Sequence, residues 1–312
     1  MKALLVLGMH RSGTSLVARA CHDSGITAGR SEDLLAPQSD NPLGFYEHRD
    51  LVALDEAMLD QAGASWFRPP SVDELAGLAP PVEQQRALLT GLCDTGDGQF
   101  LLKDPRLCIT WPLWLPLLDG RTTVFVYRAP LAVARSLSRR HGFPLQHGLL
   151  LWEYYNRRAL DALDGDSALS ISYDALSADP SLLRRLLESL AARGFACDPS
   201  SSERFYDDAL QHFSQDTADT DTGLLSDDQQ ALHAYCTSLC EGRGGAMPAL
   251  SPSAHTLNRL NDLATAFAPL ATAVETARER DDAENLAGER TAERDHALST
   301  LRDLERDHRA LA

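Results

Sequence analysis

Apolar and polar positions follow two rhythms along the first 200 residues. Leu4 to Leu7 is an apolar run of strand length that stops at Gly8, and Leu16 to Ser24 then carries apolar residues at helical spacing, closed by Gly25. Asp33 to Pro42 is polar and turn-rich and reads as a surface loop, after which Leu51 to Leu59 is an amphipathic helix. Trp66 to Pro81 is proline-rich and irregular, Val82 to Leu92 is helical, and Gln99 to Leu102 is a strand whose continuation is stopped by Pro105. Leu107 to Leu118 holds two tryptophans and two prolines and reads as a broken, well-packed helix. Thr122 to Tyr127, β-branched and aromatic, is the clearest strand, and Leu131 to Leu137 continues it as a helix. A helix over Gly148–Leu163, a strand and turn over Ala168–Leu176 and an amphipathic helix over Leu182–Arg193 complete the pattern. Strands separated by helices predict a parallel sheet covered by helices, the α/β class.

Beyond residue 200 the periodicity weakens, with short helices predicted at 203–213 and 226–240. From about Thr256 a helical run breaks near Pro269, and Ala271 to Ala312 is rich in Ala, Glu, Arg and Asp. Glu-Arg-Asp recurs there at 279–281, 293–295 and 305–307 above a thin leucine stripe. The division expected is a domain over 1–255 and a helical, coiled-coil-like extension or linker over 256–312, a candidate for self-association.

Composition narrows the partners. A formal net charge of -16 excludes a broad nucleic-acid or anionic-membrane surface, so any anion site is local. Only Lys2 and Lys103 among the 29 basic residues are lysines, which singles out Lys103. Six cysteines are scattered as in a reduced, cytoplasmic protein; Cys236 and Cys240 share a helix face with His233 but lack a fourth ligand for zinc. The apolar N-terminus is cut by His10 and Arg11 before it reaches signal-peptide length, and no stretch has the length of a membrane span.

The chemistry begins at Gly8-Met9-His10-Arg11-Ser12-Gly13-Thr14-Ser15, between the first strand and the first helix. Small residues there let backbone N–H groups approach an anion, and the helix start adds about half a positive charge. Gly8-x4-Gly13 fits the frame of a nucleotide-binding P-loop, but Thr14 stands where the nucleotide lysine belongs and Arg11 supplies the cation. The strand over 122–127 ends in Arg128, where a nucleoside triphosphatase would place a magnesium-binding aspartate. Both departures point to anion binding without a metal.

The loop resembles the 5′-phosphosulfate loop of sulfotransferases that use 3′-phosphoadenosine 5′-phosphosulfate. Asn41-Pro42-Leu43-Gly44-Phe45-Tyr46-Glu47 is similar to a segment of bacterial members, and Arg128 with Ser136 resembles the family's 3′-phosphate motif. Tyr173-Asp174-Ala175-Leu176 resembles its Tyr-Glu-x-Leu element, with Asp174 in place of glutamate. The likeness spans residues 1 to 200; a convincing Arg-Lys-Gly segment for the 3′-phosphate is missing, and Glu241-Gly242-Arg243-Gly244 is a poor echo of it. It implies a three-layer α/β/α, P-loop-like fold and sulfuryl transfer to a hydroxyl or amine of a small-molecule or glycan acceptor.

Within that reading Ser12, Gly13, Thr14 and Ser15 cradle the 5′-phosphate and Arg11 covers the leaving oxygen. Arg128 and Ser136 take the 3′-phosphate, with Tyr173 near adenine. Glu47 is the expected base and His48 the runner-up, although Glu47 would equally suit a helix cap. Lys103 sits at a strand end, the ligand edge of a parallel sheet, and is expected in the active site on the sulfuryl group or substrate; Arg106 beside it does the same or pairs with Asp104 or another carboxylate. Trp66, His141 and His147 are candidates for the acceptor pocket. A magnesium-dependent nucleotide kinase and a non-catalytic nucleotide-binding scaffold are the alternative readings.

Overall fold

The computed structural model describes residues 1–38, 41–118, 120–163, 168–205 and 222–267. Four strands form one parallel sheet: β1 (Lys2–Leu7), β2 (Gln99–Lys103), β3 (Arg121–Tyr127) and β4 (Ala168–Ser172), in the order β2-β1-β3-β4. β1 pairs Leu5 with Leu102 of β2 and with Thr123 of β3, so the first strand is central. Side chains alternate faces along each strand, and both faces are apolar, as a sheet covered on both sides requires. Ala3, Leu5, Leu7, Phe100, Leu102, Phe125 and Tyr127 enter one core cluster; Leu4, Val6, Leu101, Val124, Val126 and Ile171 enter the other.

On the second face lie α1 (Thr14–Asp23), α8 (Tyr173–Ala178) and α9 (Ser181–Ala192), which bury Val17, Cys21, Leu176, Leu183 and Leu187. The first face is covered by α2 (Arg49–Gln61), α4 (Val82–Thr95), α5 (Leu107–Trp114), α6 (Pro130–His141) and α7 (Leu145–Asp161). The result is a three-layer α/β/α fold with a central parallel sheet. Asp55 of α2, fully buried, accepts from Thr110 Oγ1 at 2.8 Å and Trp114 Nε1 at 2.9 Å, which locks α2 to α5. Gly148 lets α6 and α7 approach closely, since a Cβ there would meet Ala134 Cα at 2.8 Å.

The predicted elements are present with boundaries shifted by a few residues. Two were missed: α8, whose start was read as a turn, and α3 (Val72–Ala76), which lies inside the stretch read as irregular. α3 is held by a reciprocal capping box in which Ser71 Oγ accepts from Glu74 N and Glu74 accepts from Ser71 N. The helix predicted at 226–240 is α10 (Asp227–Cys240), whereas the prediction at 203–213 runs into residues 206–221, outside those described. Helical backbone at 253–267 buries Thr256, Leu257, Leu260 and Ala264; the Glu-Arg-Asp repeats and the rest of 268–312 lie outside the described residues. His233, paired in sequence with Cys236 and Cys240, is instead hydrogen-bonded through Nδ1 to the Tyr127 hydroxyl. No helix among the described residues is long and apolar enough to cross a membrane.

α7 is buried almost throughout and carries Glu153, 3% exposed, as a polar hub. Its carboxylate accepts from Arg157 Nη2 at 2.8 Å, Gln229 Nε2 at 3.2 Å and Thr256 Oγ1 at 2.6 Å, joining α7 to α10 and to the 253–267 helix. Arg157 keeps the Ser251 carbonyl and Asp228 when Glu153 is removed, so Glu153→Ala is expected to cost the lost hydrogen bonds to a charged group, about 1.5–3 kcal/mol, read as a lower midpoint in urea unfolding; an unchanged midpoint would contradict this hub.

Candidate active site

The sheet order sets the site. From the central strand the chain goes first to β2 on one side and then to β3 on the other, so the carboxyl end of β1 is a topological switch point, where open parallel sheets bind ligands. The loop Gly8–Gly13 leaves that end, Lys103 ends β2 beside it, and Arg128 follows β3. Gly8 is forced by packing, because a Cβ would meet the Val126 carbonyl oxygen at 2.4 Å. Gly13 is left-handed (φ 87°) and lies against Tyr173, whose Cδ2 would be 2.0 Å from a Cβ. It caps α1 through backbone alone, with no side-chain hydrogen bond and no acidic residue in the first turn. The N–H groups of that turn, with the buried Ser12 and Thr14 among the cradle residues, therefore present a positive helix end with no carboxylate in the turn itself.

On the β3 side the loop is tied by arginines. Arg11, itself left-handed at φ 68°, donates from Nε to Ser136 Oγ at 3.0 Å, and Arg128 Nη1 donates to the Arg11 carbonyl at 3.0 Å. The Arg128 guanidinium lies 4.5 Å from the Tyr173 ring centroid. Its backbone is fixed as well: Trp152 Nε1 donates to the Arg128 carbonyl at 3.0 Å, and Ala129 N to Asp174 Oδ2 at 2.9 Å. Arg11, Ser136, Arg128 and Tyr173, scattered in sequence, thus form one cluster.

On the β2 side the centre is Lys103, 2% exposed. Its ammonium donates to Glu47 Oε1 at 2.5 Å, to the Phe45 carbonyl at 3.0 Å and to Ser15 Oγ at 3.1 Å. Burial pushes the Glu47 carboxyl up from its ordinary range; Lys103 pulls it back and Asp104 adds to the rise. Glu47 does not cap α2. That task falls to His48, whose Nδ1 accepts from Asp50 N at 3.2 Å. His48 also packs on Gly29 and lines a cavity of about 770 Å³ with Arg30, Asp33, Asp50 and Gln84, a different surface from that of Lys103. Arg106 is engaged by carboxylates: Nη1 reaches Asp104 at 3.0 Å and Nη2 reaches Glu56 at 2.6 Å.

Trp66 stands beside the loop residue His10, with ring centroids 4.6 Å apart, and contacts His141 at 4.9 Å and Phe143 at 5.5 Å. His147 packs edge-on to Phe143 at 5.0 Å, so the three acceptor-pocket candidates share one aromatic cluster. Sequence reasoning passed over His10, although its place inside the Gly8–Gly13 frame was a signal. It also passed over the Phe45 carbonyl, which no side-chain motif can reveal.

No family model matches the chain and no curated protein matches it. Among solved structures it is similar to the sulfotransferase domain from the Synechococcus PCC 7002 olefin synthase, at 18% identity over 84% of this chain and 94% of that one, with a TM-score of 0.44. It is also similar to sulfotransferase STF9 from Mycobacterium avium, at 17% identity over 69% of each chain and a TM-score of 0.42. A third is the sulfotransferase domain from the curacin biosynthetic pathway, at 16% identity, 85% and 96% coverage and a TM-score of 0.41. At this identity and TM-score the likeness assigns neither a reaction nor a residue's role.

Proposed function

We propose that the chain is a sulfotransferase that moves a sulfuryl group from 3′-phosphoadenosine 5′-phosphosulfate to an acceptor hydroxyl or amine without a metal. The observation that carries this reading is the position of the Gly8–Gly13 loop between Lys103 on one side and the Arg11–Ser136–Arg128 cluster on the other. Two separate cationic groups suit a donor with two separate phosphates. The donor set fits such a nucleotide chemically: backbone N–H groups and hydroxyls at an uncapped helix start, and arginine forks that match phosphate oxygens.

In this reading Ser12 to Ser15 hold the 5′-phosphate, Arg128 and Ser136 the 3′-phosphate, and Tyr173 lies toward adenine. The acceptor oxygen attacks sulfur while the bond from sulfur to the 5′-phosphate oxygen breaks, and 3′-phosphoadenosine 5′-phosphate leaves. The acceptor's proton passes to Glu47. A transferred group of low charge needs positioned donors more than a counter-ion; Arg11 serves the leaving oxygen, and Lys103, its three protons already bonded, acts there through its charge alone. Lys103 touches both Glu47 and Ser15, so it links the base to the first turn of α1. Burial favours this assignment by moving Glu47 toward a proton affinity useful near neutral pH.

Calorimetric titration with 3′-phosphoadenosine 5′-phosphate and with ATP, each with and without EDTA, separates the readings. Tight binding of the former, unaffected by chelation, is expected; ATP binding lost on chelation would instead support a nucleotide kinase. Arg128→Ala should weaken 3′-phosphoadenosine 5′-phosphate at least tenfold more than adenosine 5′-phosphate, roughly the loss of one charged hydrogen-bonded contact. Equal losses for both would remove Arg128 from the 3′-phosphate. Glu47→Gln should abolish turnover while nucleotide affinity stays within a few-fold. The sign of the pH dependence follows from the raised carboxyl: the base is lost as pH falls through it, so the acidic limb of kcat/KM, which reports the free enzyme, should lie above the ordinary glutamate range of about 4.3. A limb at or below that range, or an active Glu47→Gln enzyme, would place the base elsewhere.

A further inference from the structure

His10 is the loop residue that the donor chemistry leaves without a task. Its Nε2 is buried and has no hydrogen-bond partner among the described residues, a situation that protein interiors rarely leave without a reason. Its ring is enclosed by others: Trp66 at 4.6 Å and Tyr155 at 5.7 Å, with Trp66 further packed against Phe67 at 5.6 Å, His141 at 4.9 Å and Phe143 at 5.5 Å. His141 and Phe143 stack at 24° and 5.3 Å. Trp66 is fixed at its backbone, where the Tyr155 hydroxyl donates to its carbonyl at 2.7 Å. His10, Trp66, Phe67 and His141 are only partly buried, so this wall of rings reaches the surface next to the loop.

The charges around the wall narrow what can occupy it. Burial, followed by the positive groups of Arg106, His141, Lys103 and Arg140, holds the His10 imidazole well below its ordinary range. At neutral pH the ring is therefore uncharged, and its unpartnered nitrogen is open to one hydrogen bond, as acceptor in one tautomer and as donor in the other. The same cations oppose an ammonium ligand at this position. A pyranose would need hydrogen-bond partners for several hydroxyls at once, whereas the wall offers two imidazoles set among Trp66, Phe67 and Phe143. A flat aromatic ring with a single donor loses little on entering such a surface and gains edge and face contacts.

We propose that His10, Trp66, His141 and Phe143 form the acceptor subsite, which takes an uncharged aromatic alcohol whose hydroxyl hydrogen-bonds His10 Nε2. His10 is then a positioning residue that reads the acceptor's hydroxyl. The reaction at that hydroxyl rests on the sulfuryl-transfer reading; binding at the wall does not, and the test uses binding for that reason.

The probes are 2-naphthol, 2-methoxynaphthalene, 1-hexanol, hexylammonium and methyl glucoside, titrated into the full chain with and without 3′-phosphoadenosine 5′-phosphate. 2-Naphthol should bind about tenfold more tightly than each of the others, the scale of one net hydrogen bond or one lost stacking surface. Trp66→Ala should weaken 2-naphthol about tenfold and Trp66→Phe restore most of the loss. His10→Phe keeps a ring and removes the hydrogen-bonding nitrogen, so it should erase the preference for 2-naphthol over 2-methoxynaphthalene. All three variants should hold 3′-phosphoadenosine 5′-phosphate as the parent does, which also shows that they are folded. Equal or tighter binding of hexanol, hexylammonium or the glucoside, or a naphthol affinity untouched by Trp66→Ala, overturns the subsite. Naphthol binding with these variant effects but no nucleotide binding leaves the subsite standing and overturns the sulfotransferase reading instead.

Discussion

One buried ammonium holds this edge of the molecule together. Lys103 is inside the protein, where an unpaired charge would cost several kcal/mol, and it is satisfied by one acceptor for each of its three protons. Those acceptors come from three parts of the chain: Ser15 in α1, the Phe45 carbonyl in the loop before α2, and the Glu47 carboxylate. The end of β2, the start of α1 and the 41–47 segment are therefore fixed relative to one another through a single atom. Arginine, the common cation of this sequence, is planar and forked and could not meet three converging acceptors in that way. The need for a compact point charge gives a physical reason for a lysine at this position in a chain that otherwise uses arginine almost throughout.

The β3 side solves the opposite problem. Arg11 and Arg128 are oriented by a hydroxyl, a backbone carbonyl and an aromatic face, contacts that suit flat guanidinium groups. Arg11 is placed with Ser136, which the sequence reading assigned to the 3′-phosphate, while Arg11 itself was assigned to the leaving oxygen. Both assignments hold together only if one side chain can serve the space between the two phosphates. The left-handed backbone at Arg11 is consistent with that demand, since it is a strained conformation for a residue with a Cβ and must be compensated by its surroundings.

Much of the fold was legible because its signals are local. Period-two strands, helical stripes and the glycine loop are each written within a dozen residues, and the parallel class follows from their alternation. The capping box at Ser71 and Glu74 was equally local but was hidden by the surrounding prolines. The site was legible as residues and less so as contacts. Lys103 and Glu47 stood out separately, one as a rare lysine at a strand end and the other before a helix, but their pairing spans 56 positions and leaves no mark in a single sequence. The same holds for Arg11 with Ser136, 125 positions apart, and for Trp66 with His10. Adjacent residues also diverge in a way that spacing does not show: Glu47 turns inward to Lys103 while His48 caps α2 and faces the other groove.

That divergence bears on how a strongly acidic chain would hold the proposed donor, which carries two separate anionic groups. Local cations must be dense enough to outweigh distant carboxylates, and screening over about 8 Å makes the near groups decisive. The cations of the β2 side are paired with carboxylates: Lys103 with Glu47, and Arg106 with Asp104 and Glu56. A carboxylate bonded to the ammonium at the proposed donor site is costly for anion binding and useful for accepting a proton. If binding alone governed this edge, a neutral amide at position 47 would hold Lys103 in place and leave its charge undiminished. The presence of a titratable acid there, raised by burial and coupled to the one lysine at the ligand edge, is what favours chemistry over a scaffold.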